Sequence, residues 1–384
     1  MIMKRYGIGM MMLLGAAAVL VSSGIVCAED GDAALEAPPV NTSPGEKYIP
    51  GSRLWQGIPG IERTADGRLY ALWYSGGKGE GPDNYVVVIT SGDDGETWSE
   101  PILVIDPPGE VRAYDPVLWI DPSGRLWVFW AQSFGWFDGR SGTWAVTCDN
   151  PDADTLAWSS PRRIANGIMM NKPLVMGDGT WALLPAVWNR DPKRPDMDSE
   201  RFSNMYVSSD SGQTWTKRGK ADVPDRAFDE HMMVERGDGS CWMLVRTTYG
   251  IGQSESFDGG RTWSPGSVWK HGPSTRFHLR RLHSGNLLLI YHNSIMGKRV
   301  NLTAFLSNDD GATWSAGFLL DERENVSYPD AVQTEDGRIY AIYDRSRSGD
   351  KEILMAVFRE DDVLAGHAVS PDARLKVLVN RAGD

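Results

Sequence analysis

Cysteine is scarce: three in 384 residues, with no Cys-x-x-Cys pair anywhere. Neither a zinc site of that type nor a disulfide framework is indicated, and whether Cys148 pairs with Cys241 is not readable from spacing. A Gly-rich phosphate loop is also missing, so no nucleotide cofactor is expected. Basic runs are missing as well, and the formal charge is −12. That balance argues against nucleic acid and anionic membranes as partners. It leaves room for a small anionic substrate, because net charge is screened beyond roughly 8–10 Å whereas a local arginine cluster acts at contact.

What is present begins with a leader. Lys4 and Arg5 precede the apolar stretch "YGIGMMMLLGAAAVLVSSGIV", and "VCA" supplies small residues at cleavage spacing. This pattern predicts a signal peptide over residues 1–28 and export of the mature chain to the periplasm or beyond the cell. Acylation at Cys27 is the second choice, since Val26 stands where a small residue is wanted. Residues 29–47 are acidic and Pro-rich, "EDGDAALEAPPVNTSPGE", and too poor in apolar side chains to fold alone, so a disordered tether is expected there. One folded domain is expected over residues 48–384.

Aromatics and glycines are plentiful, with 16 Trp and 42 Gly, the composition of many short strands and tight turns. The phrase Ser-x-Asp-x-Gly-x-Thr-Trp occurs four times, starting at Ser91, Ser208, Ser256 and Ser307. Six apolar runs are each broken by a tight turn, whose glycines are Gly67, Gly124, Gly179, Gly239, Gly285 and Gly337. Asp-Gly or Ser-Gly between alternating apolar residues is a strong hairpin signal. A period near fifty residues with four strand-like segments per unit predicts an all-β, six-bladed β-propeller. Each Trp phrase then falls between the third and fourth strands of its blade and is read as a structural joint.

A propeller brings equivalent positions of every blade to one face. Residues about seven to twelve before each turn glycine ring the channel mouth: Gln56 and Gly57, Arg112 and Asp115, Asn171 and Lys172, Glu230 and His231, Arg276 and His278, Tyr328 and Asp330. Residues about seven after it return there: Tyr74, Gln132, Trp188, Arg246, His292 and Asp344. So many ionisable groups converging on one mouth predict a polar pocket. The histidines His231, His278 and His292 are read as polar fillers at strand ends rather than metal ligands. Trp130 and Trp188 are candidates to stack on a sugar, with packing between blades as the alternative.

The four Trp phrases resemble the Asp boxes of the sialidase superfamily, and the resemblance spans nearly all of residues 48–366. It implies a glycan substrate, an exo-acting glycoside hydrolase and no metal. "DEHMMVERGDGSCWMLVR" resembles the segment carrying a catalytic Glu and a substrate-binding Arg, which are Glu230 and Arg246. "KRVNLTAFLSNDDGATW" resembles a segment with another binding Arg, here Arg299. "VSYPDAVQTEDGRIYAIYD" resembles the segment with a nucleophilic Tyr, here Tyr328, and an acid that orients an Arg, here Asp344. The resemblance places the proton donor in "YSGGKGEGPDNYVVV", as Asp83 in preference to Glu80. The family opens on Arg-Ile-Pro, but this chain reads "WQGIPGI", with Gly57 where the first carboxylate-binding Arg belongs. Arg276, Arg112 and Lys172 are candidates to stand in, and Asp115 joins the binding set. The same gap leaves open a uronate or a neutral deoxy sugar, elimination instead of hydrolysis, or carbohydrate binding without turnover.

Overall fold

A computed structural model describes residues 30–134, 142–188, 195–294 and 297–383. The expected leader and Cys27 lie outside the described residues. Six antiparallel sheets follow one another along the chain, each built from four consecutive strands, and the first gains an extra strand at its edge. The first strands of the blades line the central tunnel: Trp55–Arg63, Val111–Ile120, Leu174–Val175, Arg226–Glu235, His278–Arg281 and Val326–Gln333. All six turn glycines have positive φ, between 81° and 103°, a conformation that costs glycine little and other residues more.

Apolar packing closes the ring. Each of the six hydrophobic clusters bridges neighbouring blades, and one of them mixes Ile61, Leu69 and Trp73 of blade 1 with Tyr340, Ile342 and Met355 of blade 6. The second strands are covered on both faces by adjacent blades. Hence "LYALWY", "LWVFWA" and "IYAIYD" read as nearly unbroken apolar runs rather than alternating ones.

The Trp phrases fall between third and fourth strands, as their spacing predicts. In the copy at Ser256, Gly260 N–H donates to Ser256 Oγ at 2.9 Å, while Thr262 N–H and Oγ1–H reach Asp258 at 2.9 and 2.6 Å. The same bonds recur at Ser91, Ser208 and Ser307. These donors hold Asp93, Asp210 and Asp309 at a pKa of about 2. The phrase is also a joint between blades: a Cβ on Gly260 would lie 2.2 Å from Sδ of Met205 in the preceding blade. In the sixth blade the helix Glu360–Ala365 stands in the same interval, with Asp362 accepting three backbone N–H groups.

The expectation of a disordered tether is corrected. Val40 and Asn41 pair with Ile105 and Val104 at the outer edge of blade 1. Ala34 is buried, and the carbonyls of Ala34 and Glu36 accept from Gln132 Nε2 at 3.0 and 2.8 Å. Counting apolar side chains missed this, because an open sheet edge recruits backbone donors and acceptors whatever the side chains are. Cys148 and Cys241 are both free and buried.

Candidate active site

The tunnel mouth at the start of the inner strands holds a cavity of about 190 Å³. Arg112, Asp115, Glu230, Arg246, Arg299 and Tyr328 all line it, with Glu80, Arg347 and an aromatic wall of Tyr74, Tyr114, Trp188 and Phe228. Two larger cavities, about 690 and 640 Å³, open at the hairpin end of the same strands. They share Trp119, Val175 and Arg280, and no tyrosine is among the described residues that line them.

A repeated backbone irregularity aims the reactive side chains. In four blades the inner strand slips register against its neighbour, between Gly57 and Gly60, Tyr114 and Val117, Asp229 and Met232, and Ser327 and Asp330. Within each slip one non-glycine residue has positive φ: Ile58 at 60°, Asp115 at 47°, Glu230 at 42° and Tyr328 at 55°. Such bulges re-aim a side chain at the expense of backbone strain, and they concentrate at functional sites. Asp115, Glu230 and Tyr328 thus occupy the same structural position in blades 2, 4 and 6.

Glu230 Oε1 lies 3.4 Å from the Tyr328 hydroxyl, and both side chains are buried. Arg246 Nη1 donates to that carboxylate oxygen at 2.6 Å and sits 3.4 Å from the phenol. Glu230 Oε2 is buried and has no hydrogen-bond partner among the described residues. The guanidinium carbons of Arg299 and Arg347 stand 5.2 and 4.9 Å from the centre of the Tyr328 ring. Burial pushes the phenol's pKa up and Glu230 adds to the rise, while Arg246, Arg299 and Arg347 oppose it. Behind the ring, Asp344 accepts from Ile58 N–H at 2.8 Å and Ser327 Oγ–H at 3.0 Å, and lies 3.9 Å from Arg347 Nε. Burial, reinforced by Glu80, raises the Asp115 carboxyl to about 8. Four arginines, Arg112, Arg246, Arg299 and Arg347, share the lining with three acids, Glu80, Asp115 and Glu230.

The sequence profile of the BNR repeat-like domain family matches residues 67–341. The chain belongs to the BNR-repeat family of the sialidase superfamily. Two curated relatives are sialidases. That of Bacteroides fragilis is 25% identical over 336 residues, 75% of this chain and 60% of its own length. That of Paraclostridium sordellii is 24% identical over 237 residues, 54% and 56% respectively. The match therefore spans less than two thirds of either relative. Among solved structures, a Hadza microbial sialidase superposes with a TM-score of 0.65 at 20% identity, over 80% of this chain and 66% of that one. The NanB sialidase of Streptococcus pneumoniae gives 0.62 at 14%, over 85% and 71%. An alpha-L-arabinanase of Penicillium chrysogenum complexed with arabinobiose gives 0.55 at 15%, over 85% and 97%. At these identities the structural likeness concerns the fold.

Within this BNR-repeat propeller several expected positions fall elsewhere. Lys172 is buried in the tunnel, its Nζ bonded to Glu62 at 2.8 Å, Asp330 at 3.0 Å and the Leu118 carbonyl at 2.9 Å. It faces the hairpin-end cavity and cannot replace an arginine at the mouth. Arg276 is also buried, donating to Asn171 Oδ1 at 2.8 Å and standing 3.9 Å from Asp330. A fixed count from the turn glycine puts both on the rim, but the third and fifth blades have short inner strands of two and four residues, which shifts that count. Asp83 does not line the cavity, whereas Glu80 does and pairs with Arg347 at 3.2 Å. His231 and His292 bond backbone carbonyls, and His278 faces Asp330. Burial lowers all three to about 4, and none lines the cavity. Trp188 is part of the wall, but Trp130 stacks on Trp144 inside blade 2. Among the described residues no group of three or more His, Cys, Asp or Glu is placed to hold a metal ion. Arg347 was missed: it follows Asp344 in the hairpin "DRSRSGDKE", beyond the positions that strand counting reaches.

Proposed function

We propose that the protein is an exported, exo-acting glycoside hydrolase that releases a terminal acidic sugar from a glycan. The observation that carries this reading is the 3.4 Å approach of Tyr328 to Glu230 across 98 residues of sequence, inside a ring of guanidinium groups. A phenol with an unperturbed pKa near 10 is a weak nucleophile until a base takes its proton. Glu230 is the base. As it takes the proton, Tyr328 Oη bonds to the anomeric carbon and the bond to the leaving oxygen breaks. Sialidases use a Tyr nucleophile in place of the second carboxylate of other glycosidases. The leaving oxygen takes its proton from Asp115, which lines the cavity at the same bulge position as Glu230 and Tyr328 and whose carboxyl burial raises to about 8, rather than from Glu80, which pairs with Arg347. Water then cleaves the glycosyl–tyrosine bond with Asp115 as base, and Glu230 returns the proton to the phenolate.

Cavity size supports exo action. At about 190 Å³ it is smaller than the roughly 300–1,000 Å³ of drug-sized ligand sites, which suits one terminal sugar and not an internal segment. Elimination through a His–Tyr pair is disfavoured, since no histidine lines the cavity among the described residues. The signal-peptide pattern in the sequence of residues 1–28 supports export. The test is a screen of the mature protein against 4-methylumbelliferyl glycosides of N-acetylneuraminic acid, glucuronic acid and rhamnose. Fluorescence from an acidic glycoside is the expected result. Release from the rhamnoside alone, or from none of them, sinks the reading.

A further inference from the structure

Gly57 stands where the sialidase resemblance places the first carboxylate-binding arginine, and the space beside it is filled. A Cβ built on Gly57 would lie 2.2 Å from Cδ and 2.6 Å from Cγ of Arg347, and 2.9 Å from Asp344 Oδ2. The stem of Arg347 therefore crosses directly over the backbone of residue 57. No side chain fits there while Arg347 keeps its place, so an arginine from the inner strand and one from the hairpin exclude each other. We infer that Arg347 supplies the guanidinium that Gly57 cannot, completing with Arg246 and Arg299 a three-arginine clamp for a carboxylate borne on the reacting carbon of the sugar.

The surroundings hold Arg347 for this task. Its hairpin is closed by Gly349 and Lys351 N–H donating to the Ser346 carbonyl at 2.8 Å, and by Ser346 N–H donating to Asn325 at 3.0 Å. The guanidinium lies over Trp55 at 5.7 Å and over Tyr328 at 4.9 Å. Asp344, the acid expected to orient a binding arginine, is 3.9 Å from Arg347 Nε. Arg347 Nη1 meets one carboxylate, that of Glu80 at 3.2 Å, which also lines the cavity. A carboxylate is thus already the partner this guanidinium takes.

Placement also narrows the ligand. Arg246 touches the phenol hydroxyl itself, and Arg299 and Arg347 stand over its ring. The reacting carbon must come within contact of that hydroxyl, so an anion reached by all three arginines is attached to that carbon. A 2-ulosonic acid meets this condition. A hexuronic acid carries its carboxylate beyond the ring oxygen and does not. The inference rests on the hydrolase reading for the position of the reacting carbon.

Calorimetry with the methyl α-glycoside of N-acetylneuraminic acid, its carboxyl methyl ester and methyl glucuronide tests the clamp, with turnover of the fluorogenic substrates run in parallel. Arg347→Ala is expected to weaken binding of the free acid by about 10–100-fold, the scale of a charged hydrogen bond, and to leave the ester unchanged. Arg347→Lys keeps the stem and charge but loses the fork, and is expected to recover only part of the affinity. Gly57→Arg alone should abolish binding by collision, and Gly57→Arg combined with Arg347→Gly should return it to within roughly 10-fold of the starting affinity. Unchanged affinity in Arg347→Ala overturns the inference, as does equal loss for acid and ester, or tighter binding of the glucuronide. If the combined variant does not fold, the Ala and Lys variants decide. Arg347-dependent binding without turnover would leave the clamp standing and remove the hydrolase reading; turnover indifferent to Arg347 would do the reverse.

Discussion

Replacing Tyr328 by Phe removes one oxygen from a ring otherwise held in place. The hydroxyl's two protein contacts, to Glu230 and Arg246, are both 3.4 Å long, at the weak end of hydrogen-bond geometry. Its loss should cost folding no more than about 0.5–1.5 kcal/mol, a shift in Tm of a few degrees at most. The ring still packs beneath Arg299 and Arg347, so substrate affinity should stay within about threefold, less than 1.4 kcal/mol. Without a nucleophile, kcat should fall on the order of 10³-fold or more, roughly 4 kcal/mol of barrier. Initial rates on the fluorogenic glycoside give kcat and KM, and differential scanning fluorimetry gives the Tm. Equal kcat in the two proteins would refute the assignment of Tyr328. A Tm lowered by more than about 10 °C would instead show that the hydroxyl is structural.

Three further changes probe different parts of the reasoning. Asp115 must be protonated to act as donor and its carboxyl lies at about 8, so kcat/KM should decline as pH rises through that value; Asp115→Asn should lose the decline and about 10²–10⁴-fold in kcat, read from pH–rate profiles. Lys172→Met leaves Glu62 and Asp330 facing each other without a cation in the tunnel, and should lower stability to urea by about 3–5 kcal/mol while KM of the folded protein is unchanged; a raised KM with normal stability would return Lys172 to the binding set. Gly260→Ala places a methyl 2.2 Å from Met205 Sδ at a φ of 85° and should cost about 1–3 kcal/mol with no effect on kcat, as measured by the urea midpoint and the initial rate.

Much of the architecture was legible because it repeats. Turn glycines at near-constant spacing and the Ser-x-Asp-x-Gly-x-Thr-Trp phrase report local backbone geometry, which side chains a few residues away determine. The seating of Glu230, Arg246 and Tyr328 was also legible, since each lies a countable number of strand positions from a turn glycine in a blade with long inner strands. Counting failed for Lys172 and Arg276, where the inner strands are short. It failed again for Glu80 and Arg347, which sit on loops of no fixed pitch. The docking of Val40 and Asn41 at the edge of blade 1 was hidden because the attraction lies in backbone groups common to every residue.

By itself, then, the amino-acid order determined six hairpin-built blades, their joints, and a convergence of acids, arginines and a tyrosine at one mouth, because short-range turn chemistry and strand periodicity are local properties. Only the closed ring decided which charges neutralise one another in the tunnel, which carboxyl keeps its proton, and which arginine passes over Gly57. Those outcomes depend on burial and on distances between residues hundreds of positions apart, and both come into being when blade 6 packs against blade 1.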